Sequence, residues 1–144
     1  MIMIIIDTNV ISELMRAAPE PAVLDWFRAR SLTELATTAI NVAEIRRGLA
    51  RLPFGRRRRE LEMRFHSLAS RGFGDRIFDF DAASAEIFGD VVAARERAGR
   101  RLEGFDGLIA AIASSRGLPV ATRDVADFAD CGITVICPWQ DTAA

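Results

Sequence analysis

The chain has 144 residues, 50% hydrophobic and 27% charged, with 19 basic residues against 20 acidic ones and a formal net charge of −1. Every basic residue is arginine, lysine and tyrosine are absent, and His66 is the single histidine. This inventory excludes the phosphate-gripping lysine of a P-loop, Schiff-base catalysis and the lysine of phosphoacceptor receivers, and it argues against a His-based triad or a multi-His zinc site.

A length within the usual range for one domain predicts a single unit over residues 1–144 with a substantial core. Cys131 and Cys137 lack a CxxC spacing and read as small buried hydrophobes in a reducing, cytoplasmic setting, with a disulfide as the less favoured alternative. The sequence pI of about 5.9 argues against a generic nucleic-acid coat, so any polyanion site must be local.

Taken in chain order, the apolar run MIMIII is far shorter than the roughly 20 residues needed to span a bilayer and reads as a buried strand ending at Asp7-Thr8-Asn9. A helix over 9–15 follows, carrying Val10, Ile11 and Leu14. Pro19 and Pro21 interrupt it, and Pro21 suits the first position of a second helix with Val23, Leu24, Trp26 and Phe27. Residues 35–39 form a short strand. Asn41-Val42-Ala43-Glu44 opens a helix to about Leu52, and residues 56–70 are helical again, with Leu61, Phe65 and Leu68 on one face. Ile77, Phe78 and Phe80 make a third apolar run, and Asp81 caps a long helix to about Gly99. Phe105-Asp106 opens a helix closed by Gly117 and Pro119. Residues 120–122 and 133–136 are strands flanking a turn-rich stretch over 124–132. Strands alternating with helices imply βα units and a mostly parallel sheet.

Ligands of such sheets bind beyond the carboxyl ends of the strands. Four acids stand there: Asp7, Glu44, Asp106 and Asp124. Each has an innocent reading. Asp7 and Asp106 suit helix caps, Glu44 suits an Asn41-x-x-Glu44 capping box, and Asp124 suits a turn. Jointly they would repel one another unless a cation neutralised them. Oxygen ligands without His or Cys suit Mg2+ or Mn2+, and metal-assisted phosphodiester hydrolysis needs neither lysine nor a triad.

The stretches IIIDTNVISEL, TTAINVAEIRRGLARLP, EGFDGLIAAIASSRGLPVATRDVADF and VICPW resemble PIN-domain proteins of the VapC type of toxin–antitoxin ribonucleases, and among these the FitB-like members. They extend over nearly the whole chain. The resemblance implies a PIN-like α/β/α sandwich around a five-stranded, mostly parallel sheet. It also implies a divalent-metal ribonuclease site of Asp7, Glu44, Asp106 and Asp124, with Asp7 and Asp106 holding the ion directly. Many members carry Asn where this chain has Asp124 and rely on the acid three residues later, here Asp127; this chain has both, and Asp124 ranks above Asp127. Thr8, Asn9 and Thr122 match polar positions that support the acids, although capping and strand-end packing explain them equally well. The resemblance further implies a homodimer and a small VapB/FitA-like antitoxin, the complex binding operator DNA. Transfer RNA is a family-level expectation for the substrate.

Arg56, Arg57, Arg58 and Arg59 form the densest charge run. Arg56 faces Glu60 and Arg58 faces Glu62 at helical spacing, which leaves the others for phosphate or an acidic partner. Arg46 and Arg47, one turn after Glu44, face either substrate or an acidic neighbour, and Arg100 and Arg101 near Glu103 are a weaker cluster. His66 reads as a surface or structural residue. Trp26, Phe27, Leu24 and Trp139 read as core or interface sooner than as base-stacking platforms. Two alternatives remain open: a metal-dependent DNase on the same scaffold, and a non-catalytic nucleic-acid-binding module whose acids merely cap helices.

Overall fold

The computed structural model describes residues 2–102 and 104–140. Five strands, β1 (Ile4–Ile6), β2 (Leu35–Thr38), β3 (Ile77–Phe78), β4 (Val120–Ala121) and β5 (Val135–Ile136), form one sheet in the order β3-β2-β1-β4-β5. Every pairing is parallel, so the expectation of a mostly parallel sheet is met in full. β1 is central, with Ile5 opposite Ala36 on one side and Val120 on the other.

Helices cover both faces, as parallel strands require. Successive β1 side chains alternate: Ile4 and Ile6 enter a core with Val10, Ile45, Leu49 and Phe65, whereas Ile5 enters one with Val91, Ile109, Ile112 and Val120. The first core is roofed by α1 (Thr8–Met15), α2 (Pro21–Arg28), α3 (Ala39–Ala50) and α4 (Arg56–Ser67), the second by α5 (Ala82–Arg97) and α6 (Asp106–Arg116). Ile5 and Ile6 are fully buried, and each such side chain contributes roughly 1.5–3 kcal/mol. The α/β/α layering is the one anticipated.

Local chemistry fixes the helix ends. Asp81 caps α5, its carboxylate accepting from the Ser84 amide at 2.9 Å. Gly117 ends α6 in the left-handed region at φ 65°, allowing the Leu118 amide to reach the Ala113 carbonyl at 3.0 Å. Gly107 lets α5 and α6 approach closely: a Cβ there would sit 3.3 Å from Phe88 Cε1.

Three expectations are corrected. α3 starts at Ala39, and its cap is Thr38, whose hydroxyl accepts from the Asn41 amide at 3.2 Å; the proposed Asn41–Glu44 capping box does not form. The helix after α4 changes at Leu68–Phe73 into a π turn that buries Phe73. The stretch over 124–132, expected to be turn-rich with no helix named in it, contains a short helix, α7 (Val125–Phe128). Cys131 is buried, Cys137 partly so, and both are free thiols.

Candidate active site

The strand order reverses between β1 and β4, the place where an open parallel sheet leaves a crevice at its carboxyl edge. Asp7 leaves β1 there and Thr122 leaves β4. Asp7 occupies the N-cap position of α1, yet its side chain makes no capping bond. Instead Thr122 Oγ1 donates to one oxygen at 2.7 Å and Asn41 Nδ2 to the other at 3.0 Å. The innocent reading of Asp7 as a cap therefore fails, because both its oxygens are held by residues distant in sequence.

Asn41, fully buried, is the hub that sequence reasoning missed. Its side-chain carbonyl accepts from Thr38 Oγ1 at 2.6 Å, which orients the amide toward Asp7 and toward Thr8 Oγ1, 3.0 Å away. Thr8 then donates to Glu44 Oε1 at 2.9 Å. On the other side Asn9 Nδ2 donates to Asp124 Oδ2 at 3.1 Å and to Thr122 Oγ1 at 3.2 Å. Thr8, Asn9 and Thr122 are thus the supports of Glu44, Asp124 and Asp7 respectively. A signal for Asn41 was present in its spacing: an Asn three residues after a strand-end Thr.

Asp106 begins α6 and Asp124 caps α7, again without a side-chain capping bond. Asp7, Glu44, Asp106, Asp124 and Asp127 all line one cleft of about 590 Å3. Asp7 is 6% exposed, Glu44 and Asp106 are half-buried, and Asp124 and Asp127 are exposed. Burial pushes the Asp7 carboxyl above its ordinary range, offset in part by the Thr122, Thr8 and Asn41 hydrogen bonds. Burial also raises Glu44, against the Thr8 hydrogen bond, while Asp7 raises it further and Arg47 opposes. Asp106 is pushed up to about 7, first by burial and then by the negative charges of Asp7, Asp127, Glu44 and Asp124.

Such mutual repulsion is what a bound cation would relieve. Among the described residues, no three acidic, His or Cys side chains converge closely enough to enclose an ion as they stand. The donor set still fits Mg2+ or Mn2+: it is all oxygen, and Mg2+ characteristically takes one or two carboxylates and keeps several waters instead of filling a protein cage. Asp7 and Asp106 could hold it, Asp7 with both oxygens oriented by hydrogen bonds and Asp106 with the other acids raising its pKa.

The arginine run is elsewhere. Arg56 pairs with Glu60 at 3.1 Å and Arg58 with Glu62 at 2.7 Å, as the spacing predicted. Arg58 also lies over Phe54, and Arg46 over Phe65. Arg57 lines a neighbouring hollow of about 390 Å3 that shares Thr8 and Glu44 with the cleft, and Arg59 is exposed. None of Arg46, Arg56, Arg57, Arg58 and Arg59 lines the acid cleft itself. The cations that do are Arg16, paired with Glu13 at 2.7 Å, and Arg123. Arg100 and Arg101 border a shallow depression with Glu96, while Glu103 lies outside the described residues. His66 is exposed and Trp26 buried, as read. Trp139 packs against the core but also lines the cleft.

The family model "PIN domain" matches residues 4–132. The chain is 40% identical over 138 residues to the VapC ribonuclease Y4jK of Sinorhizobium fredii, covering 96% of this chain and 99% of that protein. It is 37% identical over 139 residues to Toxin FitB of Neisseria gonorrhoeae, covering 96% of this chain and all of that one. The solved structure of FitAB bound to the IR36 DNA fragment superposes with a TM-score of 0.89 at 36% identity, over 95% of this chain and 96% of that one.

Proposed function

This chain belongs to the PIN-domain family, alongside VapC and FitB toxins, and from that premise we propose that it is the toxin of a toxin–antitoxin pair. Its activity is that of a Mg2+- or Mn2+-dependent endoribonuclease. The observation that carries the reading is that Asp7, Glu44, Asp106, Asp124 and Asp127 line one cleft at the strand-order reversal, where burial and its acidic neighbours push Asp106 up to about 7.

Asp7 and Asp106 would hold the ion, with Glu44 and Asp124 joining through water and Asp127 at the margin. When bound, such an ion acidifies water and neutralises charge on an attacked phosphate. The chain's own residues prepare the ground. Asn41 and Thr122 fix the Asp7 carboxylate through separate oxygens, so its orientation costs nothing at the moment of reaction. Thr8 and Asn9 do the same for Glu44 and Asp124. With no lysine and no histidine at the cleft, no side chain other than a carboxylate of the cluster could act as base, so activation of the attacking water is assigned to the ion.

Asp7→Asn and Asp106→Asn should each lower RNA cleavage at least about a hundredfold while the circular dichroism spectrum stays native, and excess chelator should abolish cleavage. Retained activity in either variant, or in chelator, overturns the assignment. Transfer RNA is the substrate to try first, and a matched DNA strand separates ribonuclease from DNase because only RNA carries the 2′-hydroxyl.

The partner we assign is a small FitA/VapB-like antitoxin, the complex binding operator DNA, as the FitAB complex binds its DNA fragment. An antitoxin arginine pairing with the carboxylates would displace the cation and silence the cleft. Residues 1–144 act as one PIN domain, homodimeric and cytoplasmic; no helix among the described residues is long and apolar enough to cross a membrane.

A further inference from the structure

Two residues at the acid cleft have no part in holding a cation. Arg123 and Trp139 both line it, and the Arg123 guanidinium lies over the indole ring, 5.0 Å from its centroid. Trp139 is half-buried and anchored against the hydrophobic core, so the ring is a fixed support. Arg123 is exposed and, among the described residues, has no carboxylate partner although it lines the same cleft as the acids; the cleft's other arginine, Arg16, is committed to Glu13. The guanidinium is spent on the indole, not on an acid.

Its placement relative to the acids is also fixed. The Arg123 amide donates to Asn9 Oδ1 at 3.1 Å, and the same Asn9 side chain holds Asp124 Oδ2. One asparagine therefore ties Arg123 to the acid next to it. A cleft walled by carboxylates repels a polyanion, and the cation proposed there offsets this at one phosphate only, so a strand gains from contacts to its other groups. Flat guanidinium and aromatic faces supply it, because every base has a π face that stacks on them and unpaired bases are free to do so.

We propose that Arg123 and Trp139 form a nucleobase platform that seats one unpaired base beside the phosphate presented to the acids. The proposal rests on the ribonuclease reading for its substrate, and the test separates the two.

Tryptophan emission of cleavage-deficient Asp106→Asn protein is titrated with a single-stranded RNA oligonucleotide in Mg2+. The titration is repeated with strands made abasic at one position at a time. Trp139 and the buried Trp26 are the two tryptophans, and quenching is expected to vanish in Trp139→Phe, which keeps the apolar packing. Removing the base at one position should weaken binding about tenfold. Arg123→Ala should weaken the intact strand by a similar factor and the abasic strand hardly at all. Affinity indifferent to every abasic position, or Arg123→Ala weakening both strands equally as a mere phosphate contact would, overturns the platform. Cleavage of the same strands by the unaltered protein is followed in parallel. Base-dependent binding without cleavage keeps the platform and removes the ribonuclease reading; cleavage with base-independent binding does the reverse.

Discussion

Asp106, one of the two acids proposed to hold the cation, carries a charge that costs the fold stability. Its pKa rises from 3.8 in the free side chain to about 7 in the folded protein, owing first to burial and then to Asp7 and the other acids. The folded state therefore binds this proton more tightly than the unfolded chain does. The stability that goes with it is fully present below about pH 4 and is lost as pH rises through about 7. Because the side chain is half-exposed, solvent screening reduces the effect to about 1–2 kcal/mol. In chelator, Asp106→Asn should accordingly raise the melting temperature at about pH 8 and change it little near pH 4, while catalysis is lost. An equal pH dependence of melting in variant and parent would show that the acids do not strain the fold. The identity of this residue was readable from sequence, since an acid opening a helix after a glycine-rich turn is conspicuous. The field it experiences was not, because that depends on four other acids brought in by the segment after β1, by α3 and by the start of α7.

At the level of elements, the long helices and the strand positions follow from periodicity, caps and Pro/Gly punctuation, whereas α7 does not. Four residues cannot nucleate a stable helix alone; α7 persists because Arg95 of α5 donates from Nη1 to the Ala126 and Ala129 carbonyls, both at 2.7 Å. Arg95 is 5% exposed, and its Nε has no partner, so this cation is buried for the sake of those two carbonyls. The helix it clamps is preceded by its cap residue Asp124 and contains Asp127. Arg95→Met, which keeps the apolar stem, should destabilise the protein by about 2–4 kcal/mol. It should also speed amide exchange over residues 124–131 more than elsewhere; unchanged protection there would refute the clamp. Similarly, α3 was expected to open at Asn41, but Thr38 caps it and frees the Asn41 side chain for Asp7. Local pattern placed this helix within two residues, and the two residues of error concealed a fully buried support of Asp7.

For the molecule as a whole, the proposed cation, held only by the folded state, would couple function to stability. Mg2+ or Mn2+ at a hundredfold excess over its Kd should stabilise the protein by about 2.7 kcal/mol. Calorimetric melting should then rise by several degrees in the parent and much less in Asp7→Asn. An absence of any shift in the parent would count against a metal centre. Sequence alone determined the α/β alternation, the acids waiting at strand ends and the lack of any lysine or second histidine to replace them, because periodicity, caps and residue chemistry are local properties. Tertiary structure decided which ends meet. Setting β1 between β2 and β4 brings Thr122 to Asp7 across 115 positions of chain and Asn41 across 34. The same packing leaves the arginine run outside the cleft and lays Arg123 on Trp139 at its side. Those contacts arise from burying two apolar faces of one sheet at once, a long-range condition that no local window of the sequence contains.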